Sequence, residues 1–294
     1  MSRKLGFALA TGLALTFAGP LFAADMPVKA PMAPPPPALT WSGWYVGVEG
    51  GWEQRQANWN TNCVQGGGIA VCGNALNAVL FPGAPDATGG FNFKNNNWRG
   101  AVYNGFMFQP VSAPNWVLGF EWDYGFNRHN STTVAGILGC STAACTGGAL
   151  VPFNLSGDST TVKFGQDYSF RPRVGYLVLP NVQAYVTGGV AVQKVSATET
   201  CNGLTSPACF FGVLSSTSTT NLFGYSVGGG LEWQVVPQLL LRAEYRYNDY
   251  GNWHNSFFLN SGQVETFNTV HVKTQYAQVG LSYLLMPGQG IFGK

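Results

Sequence analysis

The sequence predicts an all-β chain: an eight-stranded antiparallel up-and-down transmembrane β-barrel with short periplasmic turns and long extracellular loops. Three observations carry that expectation. Apolar and polar side chains alternate through eight separate segments, and alternation puts the two classes on opposite faces of a strand. The connections between the segments are by turns short and long, which is the sidedness of an outer-membrane barrel. Charge is scarce, at 10%, while aromatics reach 14% and glycine 39 of 294 residues. After residue 40 no apolar run is long enough for a membrane helix, which argues against a helical membrane protein.

The chain opens on a secretory signal. Arg3 and Lys4 give a positive start, Leu5 to Ala18 an apolar core, and Pro20 breaks the helix before Ala23 and Ala24. Cleavage is expected after Ala23 or Ala24, and after Ala23 it gives a signal peptide over residues 1–23. Without Arg3 and Lys4 the 15 basic residues fall to 13, equal to the 13 acidic ones. No basic patch points to nucleic acid. Residues 24–40 are a Pro-rich linker (DMPVKAPMAPPPPALT over 25–40), too poor in apolar groups to fold alone and expected in the periplasm. The barrel follows over 41–285 and a tail over 286–294.

The eight expected strands are 43–52, 98–108, 116–126, 162–178, 183–193, 223–233, 239–250 and 274–285. Three turns are short: QPVSAP, LPN and QVVPQ, with Pro and Asn in turn roles. Four connections are long: 53–97, 127–161, 194–222 and 251–273. Pro172 falls inside the fourth strand, where it removes a ladder donor, so a bulge or an irregular pair is expected there. The runs Gly188–Gly189 and Gly228–Gly230 are expected to tighten strand coiling or to make room for large interior side chains. A soluble eight-stranded barrel is the alternative, but it would not be expected to combine aromatic outward faces with this alternation of loop lengths.

LLLRAEYRYNDY (239–250) shows the parity best: Leu239, Leu241, Ala243, Tyr245 and Tyr247 share one face, and Arg242, Glu244 and Arg246 the other. Carried along the chain, parity turns Val46, Val48, Phe106, Phe108, Phe120, Trp122, Tyr124, Val174, Tyr176, Val190, Leu231, Trp233, Val279, Leu281 and Tyr283 outward. It turns Glu49, Arg99, Glu121, Asp123, Arg171, Arg173, Glu232, Arg242, Glu244 and Arg246 into the lumen. Every base in that set is arginine, which grips carboxylates through two parallel hydrogen bonds. An eight-stranded barrel is just wide enough for its own side chains, so these charges are expected to plug the lumen. A low-conductance pore for small solutes or ions is the alternative.

Six cysteines fall in three local pairs within the long connections, outside every expected strand: Cys63 and Cys72, Cys140 and Cys145, Cys201 and Cys209. An exported chain meets an oxidising compartment, so three loop disulfides are expected, with nearest-neighbour pairing the simplest of 15 connectivities. The spacings do not fit a zinc site. No cofactor or metal is implied. His254-Asn255-Ser256 with Glu265 has the composition of an ester-cleaving set such as a lipid A acyl hydrolase uses, but His129-Asn130-Ser131 repeats the spacing, and both lie in expected loops. A haem site through His129, His254 or His271 has no patterned partner. Asn- and aromatic-rich stretches such as NWNTN and GNWHNSFF read as loop tips, candidates for a host-surface or glycan ligand. The expected function is non-enzymatic: structural and surface-interaction roles in the outer membrane.

WSGWYVGVEGGW, following a signal and a Pro-rich linker, resembles the outer-membrane immunogenic protein family, an opacity-protein-like eight-stranded porin group of Gram-negative bacteria. WVLGFEWDYGF, RPRVGYLV with AYVTGGVAV, LRAEYRYNDYG and the final QVGLSYLL extend the resemblance over about residues 1–285. It implies a surface-exposed barrel, a surface antigen set among outer-membrane lipid and lipopolysaccharide and inserted by the barrel-assembly machinery. Some members are linked to haem or host-surface binding. Family barrels usually end on an aromatic assembly signal. Here the last strand ends Tyr283-Leu284-Leu285 and continues MPGQGIFGK, which leaves Tyr283 and Leu285, or Phe292, in that role.

Overall fold

The computed structural model describes residues 39–66, 69–72, 91–127, 131–135, 159–202, 213–259 and 265–285. They form β1 (Gly43–Gly66), β2 (Ile69–Cys72), β3 (Phe91–Phe108), β4 (Trp116–Asn127), β5 (Ser131–Ala135), β6 (Ser159–Leu179), β7 (Val182–Asn202), β8 (Val213–Val236), β9 (Leu239–Phe257) and β10 (Glu265–Leu284). Eight of these strands make a closed antiparallel ring in the order β1-β3-β4-β6-β7-β8-β9-β10, with β10 returning to β1. β2 lies beside the end of β1, and β5 beside the start of β6. Closure removes the strand edges through the short-turn half. At the long-loop end, β3 before Arg99 ladders with β1 and not with β4, and β8 before Tyr225 ladders with β7 and not with β9.

At the short-turn end the strand limits agree with the periodicity within a few residues. At the long-loop end they do not. β1 runs to Gly66 rather than 52, β7 to Asn202 rather than 193, β8 starts at Val213 rather than 223, and β10 at Glu265 rather than 274. Much of each expected loop is therefore strand. NWNTN lies in β1 and GNWHNSF in β9. The expectation that no cysteine lies in a strand is also corrected: Cys63 is in β1, Cys72 in β2 and Cys201 in β7.

The reason is a change in polarity rather than in parity. Along β1 the odd positions face inward throughout, from Tyr45 to Thr61. Outward positions are Val46, Val48 and Trp52 at the short-turn end, then Gln54, Gln56, Asn58 and Asn60. Inward, Glu49, Glu53 and Arg55 give way to Ala57 and Trp59. β7 and β8 repeat the switch: Val186 and Val190 face outward low down, whereas Ser196, Thr198 and Thr200 pair outward with Thr219, Thr217 and Ser215 higher up. A search for apolar residues on the outer face stops at the switch, although the ladder continues.

Two apolar clusters fill the interior ends. At the long-loop end Trp59 stacks on Phe257 at 5.9 Å, with Phe93, Phe164, Val195, Trp253, Val270 and Val272 around them. At the short-turn end Trp41 packs with Tyr45, Met107, Val117, Leu240 and Leu284. Trp41, the first residue after the linker, folds into the barrel mouth: its indole donates to the Pro180 carbonyl at 3.3 Å, and its backbone N–H to Gln109 at 3.3 Å.

Two register shifts bear on the site. In β9, Tyr250 and Gly251 share one opposite position on β10, and Gly251 has φ +67, the left-handed backbone that a glycine bulge requires. In β6 the pairing with β7 slips between Phe164 and Asp167. At Pro172 the register does not slip. Phe120 stands opposite Pro172 on one side, and on the other the ladder resumes at Arg173–Thr187 after Phe170–Val190, with Arg171 and Pro172 unpaired. The Thr187 hydroxyl donates to the Pro172 carbonyl at 3.0 Å.

Candidate functional site

Between the two apolar clusters the lumen holds one continuous ionic layer. β1 supplies Glu49, β3 Arg99, β4 Glu121 and Asp123, β6 Arg171 and Arg173, β8 Glu232, and β9 Arg242, Glu244 and Arg246. All ten point inward, and none is more than 6% exposed. Strand alternation makes the set possible: each strand offers every second residue to the lumen, so neighbouring strands bring unlike charges level with each other.

Arg99 is the hub. Its guanidinium donates to Asp123 at 2.5 Å, to Glu49 at 3.1 Å and to Gln278 at 3.1 Å. It also reaches Asp167 at 3.1 Å through Nε. Arg242 joins Glu49 to Glu121, the latter at 2.5 Å. Arg246 holds Glu244 at 2.6 Å and Asp123 at 3.0 Å. Arg171 donates to Glu121 at 2.6 Å, and Arg173 to Glu232 at 2.8 Å. Tyrosines fill the remaining positions: Tyr45 donates to Glu121 at 2.8 Å and Tyr185 to Glu244 at 2.6 Å. The flat faces of the guanidinium groups lie over rings, with Arg242 3.5 Å from Tyr103 and Arg173 4.1 Å from Tyr185.

Glycines make the room. A Cβ at Gly230 would stand 3.0 Å from the Tyr185 hydroxyl, and one at Gly280 3.1 Å from Arg242 Cγ. Burying this much charge is costly unless every group is paired, and leaving one partner alone costs more than the pair contributes. The layer therefore works as a unit.

Parity from the sequence reached ten of these charges and missed others. Asp167 belongs to the layer, and its inward parity follows from Arg171. Glu53 and Arg55, 2.8 Å apart and buried, lie just past the expected end of the first strand. Glu199 lies on β7 within an expected loop and accepts from Thr266 at 2.8 Å. Extending each strand until its parity failed, instead of until its apolar face failed, would have found Glu53, Arg55 and Glu199.

The other candidates separate. His254 and Ser256 are on β9, not in a loop, and both face outward. His254 Nδ1 is 3.0 Å from the Thr269 hydroxyl. His271 sits on β10 against Asp249 at 2.8 Å. Glu265 opens β10. On the backbone, Cys63 stands directly opposite Cys72. Cys201 stands opposite Leu214. Cys140, Cys145, Cys209, His129, Asn130, Phe292, the signal peptide and most of the linker lie outside the described residues. Among the described residues no group of three or more His, Cys, Asp or Glu side chains has the arrangement of a metal site.

A family model described as "Outer membrane protein beta-barrel domain" matches residues 21–284. The 25 kDa outer-membrane immunogenic protein of Brucella abortus is 26% identical over 273 residues, 92% of each chain. The 31 kDa outer-membrane immunogenic protein of Brucella melitensis is 24% identical over 270 residues, 90% of this chain and 96% of that one. Among solved structures, Neisserial surface protein A covers 83% of this chain and 98% of its own, at 11% identity and a TM-score of 0.37. The outer membrane protein OprG from Pseudomonas aeruginosa covers 83% and 97%, at 10% identity and a TM-score of 0.44.

Proposed function

The chain belongs to the outer-membrane β-barrel family that includes the outer-membrane immunogenic proteins, and from that membership we propose a closed barrel that acts through its outer surface and not through its bore. The burial of the ionic layer supports this reading most. A water-filled path would wet the charges that line it, yet Arg171 and Glu232 are 0% exposed and Glu49 only 6%. The Trp41 cluster closes the layer below and the Trp59–Phe257 cluster above. The arginines are spent on carboxylates of the same lumen, which leaves no free positive ring to select a passing anion. The role is structural and surface-interactive, a reading supported by His254, whose ring is engaged by the Thr269 hydroxyl.

Planar-bilayer recording on refolded protein tests it. The expected record is a flat baseline, with no stable unit conductance in the presence or absence of reductant. Reproducible steps from heat-modifiable, folded protein would favour the porin reading. Arg242→Ala is the informative variant, because it opens the ionic layer from within.

A further inference from the structure

Basic residues are sorted by face. Among the described residues every arginine, Arg55, Arg99, Arg171, Arg173, Arg242 and Arg246, is buried in the lumen. Every lysine, Lys94, Lys163, Lys194 and Lys273, points outward. The lysines also lie at one stage of their strands, just past the last apolar outward residues. Lys94 follows Trp98 toward the loops, Lys273 follows Val279 and Ala277, Lys194 follows Val190 and Val192, and Lys163 follows Phe170 and Tyr168. Lys94 and Lys273 both stand opposite Gln56, which puts them level across three strands. In an outer-membrane barrel with extracellular loops this is the headgroup level of the outer leaflet. Lysine suits it, because its stem lies along apolar surface while the ammonium reaches the polar layer.

Lys273 is occupied by Asp249 at 3.7 Å. Lys163 and Lys194 differ: they flank a cleft of about 480 Å³ on the outer face, also lined by Phe126, Gln166, Ser196 and Thr219. Neither has an ion-pair partner among the described residues. The cleft lies at the register slip between Phe164 and Asp167, where Gly165 and Gln166 of β6 have no ladder partners on β7. Gly165 lies in that slip, and a Cβ there would stand 3.1 Å from Lys194 Cβ and 3.3 Å from its Cδ. The missing side chain lets the Lys194 stem lie across β6 at Gly165. Two like charges lining one cleft, with no acid among the residues that line it, favour an anion between them. The floor at Phe126, half exposed at the edge of the apolar band, favours an anion with an acyl body below it.

We propose that the Lys163–Lys194 cleft binds the phosphorylated headgroup of an outer-leaflet glycolipid. This rests on the outer-membrane location and not on the closed lumen, so a conducting barrel would leave it standing. The test uses refolded full-length protein in phosphatidylcholine nanodiscs doped with bis-phosphorylated lipid A, and reads retained lipid by native mass spectrometry. Wild type should retain this lipid in preference to its dephosphorylated form. Lys163→Gln with Lys194→Gln should weaken retention about 30-fold, at roughly fivefold per lysine near an anionic surface. Lys273→Gln, across the ring, should stay within about twofold. A gel shift on boiling checks that each variant is folded, and Gly165→Val, which blocks the Lys194 stem without removing charge, should also weaken retention. Equal retention by the double variant, equal loss in Lys273→Gln, or no preference for the phosphorylated lipid would each overturn the site. Displacement of the lipid by inorganic pyrophosphate at comparable concentration would overturn the lipid assignment in favour of a free anion.

Discussion

The membrane half and the loop half of this barrel use the same strands with opposite chemistry. On β1, Val46 and Val48 face outward over Glu49 within, and a few residues on Asn58 and Asn60 face outward over Trp59. Neither the ladder nor the parity changes between them. What changes is the solvent outside. Against lipid there is no gain from turning apolar groups inward, so the interior holds the charge and pairs it. Against water the hydrophobic effect returns, and the interior becomes an ordinary apolar core. The inner and outer faces therefore exchange composition at one level, and the lysines mark it.

The comparison is broken most severely by removing charge from the middle layer. Arg242→Ala takes one arginine from Glu49, leaving it Arg99, and one from Glu121, leaving it Arg171 and Tyr45. Two buried carboxylates are left under-compensated, and the loss should be about 3–5 kcal/mol. The measurement is the equilibrium folding of the barrel into lipid vesicles against urea. A loss below about 1 kcal/mol would mean that water already reaches the layer. Arg242→Lys should recover only part of the loss, since an ammonium has neither the guanidinium's planar fork of donors nor its flat face over Tyr103.

A matched pair of outward substitutions sharpens the comparison next. Leu281 stands opposite Val48, midway along the apolar band, and Thr217 lies on the polar outer face of β8. Leu281→Arg should destabilise the barrel by about 2–4 kcal/mol, the cost of a cation near the bilayer midplane. Thr217→Arg should change stability by no more than about 0.5 kcal/mol. Similar costs at the two sites would mean that the membrane reaches the loop half and that the polarity switch has been placed too low. Cysteine labelling with a lipid-phase reagent gives an independent check: position 245 should react and 244 should not, because a slip of one residue exchanges the faces.

The same comparison explains what the sequence made legible. Parity located the inward charges because lipid-facing strands carry an uninterrupted apolar stripe, as at Leu241, Ala243 and Tyr245. Beyond Trp52 the stripe changes sides, so Asn58-Trp59-Asn60 looked like a decorated loop although its alternation was intact. Lys163 was harder still. It lies on the far side of the Phe164–Asp167 slip, where counting inward from Arg171 gives the wrong face. A bulge leaves little trace in a single sequence beyond a glycine such as Gly165, and glycine recurs in every strand here. The ionic contacts themselves depend on eight strands meeting in register, which no local pattern encodes.

The smallest expected effect concerns the cysteines. Directly opposite residues in an antiparallel pair have Cα atoms about 4.5–5.5 Å apart, within the span of a disulfide. Cys63 and Cys72 occupy such a pair, at the far end of the loop half. We propose the bridges Cys63–Cys72, Cys140–Cys145 and Cys201–Cys209. Each closes a short loop, so its contribution is on the order of 2–3 kcal/mol at most. That contribution applies only to structure that opens when the loop opens. The membrane half has its own closed ladder and ionic layer, and neither contains a cysteine. Reduction should therefore raise protease sensitivity at the loop end while the protein still shifts on boiling in detergent gels. Peptide mass mapping without reductant identifies the pairs, and cross-loop peptides would show a different connectivity. If reduction also abolished the boiling shift, the two halves would be one cooperative unit, and the boundary at the lysines would be chemical without being energetic.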